Sequence, residues 1–200
     1  MHDGQEASDE SLLERTRRGE EAAFLQLYER HRDATFRFAY RMLGSSEKAE
    51  DVTHDCFVSL MRDPGRFDPC RASLRTYLYS AARNLAFKQV RDTANEIALE
   101  GWEEAESSNP ADGPLRGLLA RELSEEIQAA ITQMPPLQRE VVVLFEYEEQ
   151  SLAEIAAIVG ADVGTVKSRL HRARARLRRV LAPYLNGGAR NRKEESNHEG

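Results

Sequence analysis

Between Lys167 and Arg179 the chain carries seven bases, Lys167, Arg169, Arg172, Arg174, Arg176, Arg178 and Arg179, and no acid. Guanidinium groups in such a run can grip phosphates or take guanine edges in bidentate contacts. A solvated helix end would also look like this if nothing organised it. The spacing does organise it. Val163, Val166, Leu170, Ala173, Leu177, Val180 and Leu181 recur at alternating steps of three and four, so they share one helix face. The opposite face carries Ser168, His171, Arg172 and Arg179; Thr165, Arg169 and Arg176 lie on one flank, Lys167, Arg174 and Arg178 on the other. Upstream, Ser151 and Glu154 form an S-x-x-E capping box ahead of Leu152, Ile155, Ala156 and Val159. Gly160 suits the left-handed end of that short helix, and Asp162 can cap the next. A helix buried on one side, cationic on the other and entered through a tight turn is what reading a major groove requires.

A second constellation begins at RFDPCRAS, residues 66–73, where bases flank Phe67 and Pro69. Beyond it Arg75, Arg83, Asn84, Lys88 and Arg91 lie among Tyr77, Tyr79 and Phe87. Cations for phosphates and rings for bases can follow a single strand, although each ring taken alone also fits a core. The preceding helical pattern shows Glu50, Asp51, His54 and Asp55 on its outer side, an acidic face that plain solvation also explains. Cys56 and Cys70 form no C-x-x-C pattern, and His54 beside Cys56 lacks a second ligand pair, so no metal or other cofactor is expected. With no nucleophile–base set and no phosphate-binding loop, the chain does not read as an enzyme.

These residues must be positioned by helices. No strand pattern or repeat is present, and 31 % charged residues beside 40 % hydrophobic ones suit small, well-solvated helical domains. The fold class is all-α: two small helical domains joined by a flexible acidic linker, the second containing the helix-turn-helix. Residues 1–19 form a polar, loosely ordered extension. Residues 20–92 form the first domain, with helices broken at Gly44 and at Pro64-Gly65. Residues 93–114 lose periodicity and read as the linker, which contains Trp102. Residues 115–185 form the second domain, in which Pro136 suits a first helical turn. Residues 186–200 are a polar tail. The net charge of −6 hides a strong asymmetry, since the acids gather between Glu96 and Glu126 and the bases in the two constellations. Those acids are expected to compete with phosphate for the basic surfaces and to weaken DNA binding by the free protein. The polar N-terminus is unlike a signal peptide, and no apolar run nears the roughly 20 residues that span a bilayer. A cytoplasmic protein without membrane insertion is expected.

In this order, AEDVTHDCF, SLRTYLYSAARNLAF, MPPLQREVVVLFEY and SLAEIAAIVGADVGTVKSRLHRARARL resemble the extracytoplasmic-function (ECF) class of bacterial RNA polymerase sigma factors. The resemblance implies a factor that binds core RNA polymerase, directs it to promoters by reading −35 duplex and −10 single strand, and helps melt the DNA. Glu50, Asp51, His54 and Asp55 would dock on the β′ clamp helices. Arg66, Phe67, Arg75, Arg83, Asn84 and Lys88 would engage the −10 strand, with Phe67 walling a pocket for a flipped base. Thr165, Lys167, Ser168, Arg169, His171, Arg172 and Arg176 would serve the −35 element, and the surface around Val141–Phe145 would meet the β flap. The family often has an anti-sigma factor. The chain departs from the family pattern at His54, where Gln is usual, at Met61 and Tyr77, where Trp is common, and at Glu149-Gln150, where a Gly is usual. The competing reading is a stand-alone helix-turn-helix regulator that binds a symmetric operator without polymerase.

Overall fold

The computed structural model describes the backbone of residues 7–100 and 116–195, and the side chains of residues 7–92 and 123–182. All regular structure among the described residues is helical. α1 (Asp9–Arg17) starts at Ser8, whose hydroxyl accepts from the Ser11 amide, and it carries acids in its first turn and bases in its last. That distribution complements the helix dipole. Leu12 and Leu13 are both buried, so part of the expected loose extension is a docked element. α2 (Glu21–Leu43) buries Ala23, Leu27, His31, Thr35, Phe38, Ala39 and Met42 along one stripe. Gly44 ends it at φ 72°, a conformation that costs glycine nothing. α3 (Ser46–Arg62) is capped by Ser45 and buries Ala49, Val52, Cys56, Phe57 and Leu60.

A 3₁₀ turn (Pro64–Arg66) and a loop lead into α4 (Leu74–Glu100). This helix passes the point where the linker was expected to begin. Residues 93–100, TANEIALE, contain strong helix formers and no breaker before Gly101. Residues 101–115, including Trp102, lie outside the described residues. α5 (Arg116–Thr132), α6 (Pro136–Glu146), α7 (Leu152–Val159) and α8 (Val163–Glu195) complete the chain. α8 also overruns its expected end and continues into the polar tail.

The first four helices and the last four each form a layer, and the layers pack directly on one another. α2 lies against α5 and α6, and α4 against α7. Arg139 of α6 fixes this arrangement: its guanidinium donates to the carbonyls of Met42 at the end of α2 and of Thr132 and Met134 beside its own helix. Two orphan carbonyls at helix ends and one in the α5–α6 turn are thereby satisfied by one buried cation. No helix among the described residues is long and apolar enough to cross a membrane.

Candidate nucleic-acid interface

The helix-turn-helix is built as its sequence implies. Ser151 Oγ accepts from the Glu154 amide at 3.2 Å, and Glu154 accepts from the Ser151 amide at 2.8 Å, closing both halves of the capping box. These bonds hold the Glu154 carboxyl below its ordinary value. Gly160 turns the chain at φ 67°, and Asp162 then accepts from both the amide and the hydroxyl of Thr165, at 2.8 and 2.6 Å. Val166, Leu170 and Ala173 anchor α8 in the core; Val163 stays partly exposed at the first turn. Lys167, Ser168, His171, Arg172 and Arg176 project together into solvent. Thr165 is committed to the cap of α8.

Arg169 is not on that open face. Its guanidinium turns inward to Glu140 Oε1 at 3.1 Å. Glu140 is fully buried, and its other oxygen accepts from Arg83 Nε of α4 at 2.5 Å. One carboxylate therefore ties a −35 candidate to a −10 candidate. Burial raises the Glu140 carboxyl above its ordinary value, and the two guanidinium groups work against that shift. A parallel knot forms at the α6–α7 turn. Arg75 donates to the Glu148 carbonyl at 2.6 Å, and the Tyr79 hydroxyl donates to Glu148 Oε2 at 2.8 Å. Arg37 stands 3.6 Å from the same oxygen, and Arg41 lies over the Tyr147 ring at 4.1 Å. Tyr79 is thus a core and junction residue, its hydroxyl pushed up by burial and by Glu148. The Glu149 backbone that carries this turn has φ 53°, at the site where the family pattern has glycine.

Of the other −10 candidates, Arg66, Asn84 and Lys88 are exposed, and Arg83 also lies over the Phe87 ring at 4.7 Å. Phe67 is not an open wall: it is 2 % exposed and packs edge-on against Tyr77 with centroids 5.5 Å apart. On α3, Glu50, Asp51, His54 and Asp55 are all exposed on one face, while Cys56 points into the core and burial pushes its thiol up to about 12. Val141–Leu144 are entirely buried, so the apolar surface expected there is core. What the second layer does offer is a cleft of about 310 Å³ lined by Phe145, Leu152, Leu170, Lys167, His171 and Arg174. The junction carboxylates are what sequence reasoning missed; Arg139-Glu140 had the look of an ordinary charged helix turn.

Two regions of the chain match known families in the order the geometry suggests. Residues 27–116 match Sigma-70 region 2, and residues 124–177 match Sigma-70, region 4. The ECF RNA polymerase sigma factor SigW of Bacillus subtilis (strain 168) is 34 % identical over 177 residues, covering 84 % of this chain and 94 % of its own. The chain belongs to the ECF class of RNA polymerase sigma factors. Two solved relatives share its fold. The sigma factor RpoE of Bartonella quintana, in complex with the anti-sigma factor NepR, superposes with a TM-score of 0.67 at 27 % identity, over 80 % of this chain and 96 % of its own. CnrH, in complex with the cytosolic domain of CnrY, gives 0.66 at 26 %, over 88 % and 97 %. Members of this family are transcription initiation factors rather than enzymes: they bind core RNA polymerase and direct it to specific promoters. The stand-alone regulator is not favoured, because Sigma-70 region 2 accompanies region 4 in this chain.

Proposed function

We propose that this factor works with its two layers apart and rests with them together. The observation that carries this is Glu140, which holds Arg83 and Arg169 at once. In the working state Glu50, Asp51, His54 and Asp55 dock on the β′ clamp helices, and the surface around the part-exposed Phe145 meets the β flap. Arg172 takes a guanine edge in the −35 duplex, with Lys167, Ser168 and His171 beside it, while Thr165, Arg169 and Arg176 serve phosphates. Arg66, Arg75, Arg83, Asn84 and Lys88 hold the −10 strand, and Phe67 backs the pocket for its flipped base from the core side. Recovering the few kcal/mol of lost stacking in that pocket lets binding free energy melt the promoter. Arg83 cannot bind a phosphate while it is bonded to Glu140, so docking on polymerase must separate the layers. An anti-sigma factor that gripped the closed form would keep the factor inactive in the cytoplasm; the solved relative RpoE is in complex with the anti-sigma factor NepR.

The test is assembly with core polymerase. Replacing Asp51 and Asp55 together by Lys should abolish core binding and promoter-specific transcription while leaving the helical circular dichroism intact. These residues are one turn apart on an exposed face, so reversal places two like charges against the partner. Unchanged core affinity would defeat the docking assignment.

A further inference from the structure

The loop between α3 and α4 has few backbone bonds to hold its shape. Its own bonds are local: Arg66 amide to Asp63 carbonyl at 3.2 Å, Arg71 amide to Asp68 carbonyl at 3.1 Å, and Cys70 amide to Asp68 Oδ1 at 2.9 Å. Among the described residues, two side-chain features tie it to the body of the domain. One is the buried Phe67 ring against Tyr77. The other comes from α1, which lies outside both matched regions: Arg17 Nη2 donates to the Pro64 carbonyl at 3.1 Å and to the Phe67 carbonyl at 3.0 Å. Those carbonyls bracket Gly65 and Arg66, so one guanidinium nitrogen sets the chord of the turn and the direction in which Arg66 leaves it. The remaining contact of Arg17 is a loose pair with Glu14 at 3.5 Å.

We infer that Arg17 is a positioning residue for −10 strand recognition, acting by clamping this loop in its base-accepting shape. The inference rests on the −10 assignment of the loop made above. α1 does not depend on Arg17 for its own docking. Leu12 and Leu13 are buried beneath it, and Asp9 bonds Arg30 at 2.6 Å and His31 at 2.8 Å. The clamp is therefore separable from the helix that carries it. A pocket returns the cost of unstacking a base only if it need not be ordered at the same moment, so a loop fixed in advance binds tighter and discriminates better. Charge-assisted bonds to carbonyls suit this task, since they constrain backbone without filling the space a base would enter.

The experiment uses holoenzyme, the full chain with core polymerase, and a pool of single-stranded oligonucleotides randomised over the non-template −10 positions, sequenced after capture. Affinity for core and for −35 duplex is measured on the same preparations. Arg17→Ala should weaken capture of the selected strand about tenfold, the loss of one net charge-assisted contact. It should also flatten the preference at one base position, with core and −35 binding unchanged. Arg17→Lys, which still presents an ammonium to both carbonyls, should restore most of that preference. Arg66→Ala, inside the loop, reports on the underlying assignment. If Arg66→Ala alters strand selection and Arg17→Ala does not, the clamp is wrong and the loop assignment stands. If neither alters it, both fall. A uniform loss of core, −35 and −10 binding in Arg17→Ala would show a merely structural role and overturn the inference.

Discussion

The two basic helices use their arginines differently. On α8, Arg172 and Arg176 stand in solvent beside Lys167 and His171, on a face whose other side is sealed in the core. On α4, Arg83 is bonded to a fully buried carboxylate of the opposite layer, and Arg75 to a carbonyl of the α6–α7 turn. Their sequence surroundings are much alike, basic and helical, yet one face awaits a ligand and the other already holds a substitute for one. A duplex is always present for α8 to read, whereas a single strand appears only after melting. Occupying Arg83 and Arg75 while leaving Arg172 and Arg176 in solvent matches that order of events.

The contrast breaks most sharply at Glu140. Glu140→Ala leaves two guanidinium groups without their shared anion, and should lower the unfolding free energy by about 2–4 kcal/mol. That is below the full penalty for a deeply buried pair, because Arg83 and Arg169 keep 18 % and 21 % of their side chains exposed and can hydrate. The layers should also separate. Urea unfolding and a rise in the radius of gyration by small-angle scattering check both effects; an unchanged radius would mean that other contacts hold the junction. A smaller effect is expected on the open face. Arg172→Ala should cost about 1–3 kcal/mol of discrimination at one −35 base pair, and alter stability by no more than about 0.5 kcal/mol. Arg176→Ala should weaken all duplexes alike and reduce the salt dependence. Equal losses of stability from Arg83→Ala and Arg172→Ala would erase the distinction between the faces.

That distinction was only half visible in the sequence. The helix-turn-helix was legible because its signals are local: the Ser151–Glu154 box, Gly160 and the Asp162 cap each act within a few residues. The junction was not, because Arg83 and Glu140 are 57 residues apart and nothing in the helical period of α6 marks Glu140 as buried. The acids expected to compete with phosphate lay between Glu96 and Glu126, a stretch whose side chains are mostly outside the described residues. Among the described residues, Glu140, Glu146 and Glu148 hold arginines from within the reading domain itself. α1 escaped notice because Leu12 and Leu13 are adjacent and make no stripe, although Ser8, the acids after it and Arg15 and Arg17 form a complete set of end signals. Phe67 was legible as important and misread in posture, since ring and core look the same in a sequence.

The α6–α7 turn offers a finer probe of the same contrast. Glu149 adopts a left-handed backbone at φ 53°, which disfavours any residue with a Cβ. Glu149→Gly relieves that strain but loosens the unfolded chain, so the net gain should be about 0.5–1 kcal/mol. The Glu149 side chain is exposed, while its neighbours Glu148 and Gln150 are buried, so the substitution touches backbone and leaves the junction bonds in place. Chemical denaturation measures the gain. A loss of stability would mean that relief of the turn does not outweigh the added freedom of the unfolded chain.

The smallest effect separates the layers by pH. His31, in α2, is 8 % exposed, and burial lowers its imidazole below 6.5, opposed by the Asp9 carboxylate 2.8 Å away and aided by Arg30 and Arg75. A histidine with a lowered folded value takes its proton first in the unfolded chain. Its contribution is therefore complete above pH 6.5 and lost as pH falls from there toward the folded value, with a slope of at most about 1.4 kcal/mol per pH unit. In the second layer the Glu154 cap has the opposite kind of shift. Its carboxyl is held below 4.5, so its contribution persists through that window and is lost only as pH falls further. Glu140, held high by burial, favours the fold as it takes up a proton, which adds nothing to the loss between pH 6.5 and 5. Hydrogen exchange on the full chain should therefore show α1 and α2 losing protection across that interval while α7 and the start of α8 do not. In His31→Gln the loss should disappear, because glutamine cannot take the proton. Uniform loss across both layers, or loss that survives in His31→Gln, would show that His31 does not set the acid response.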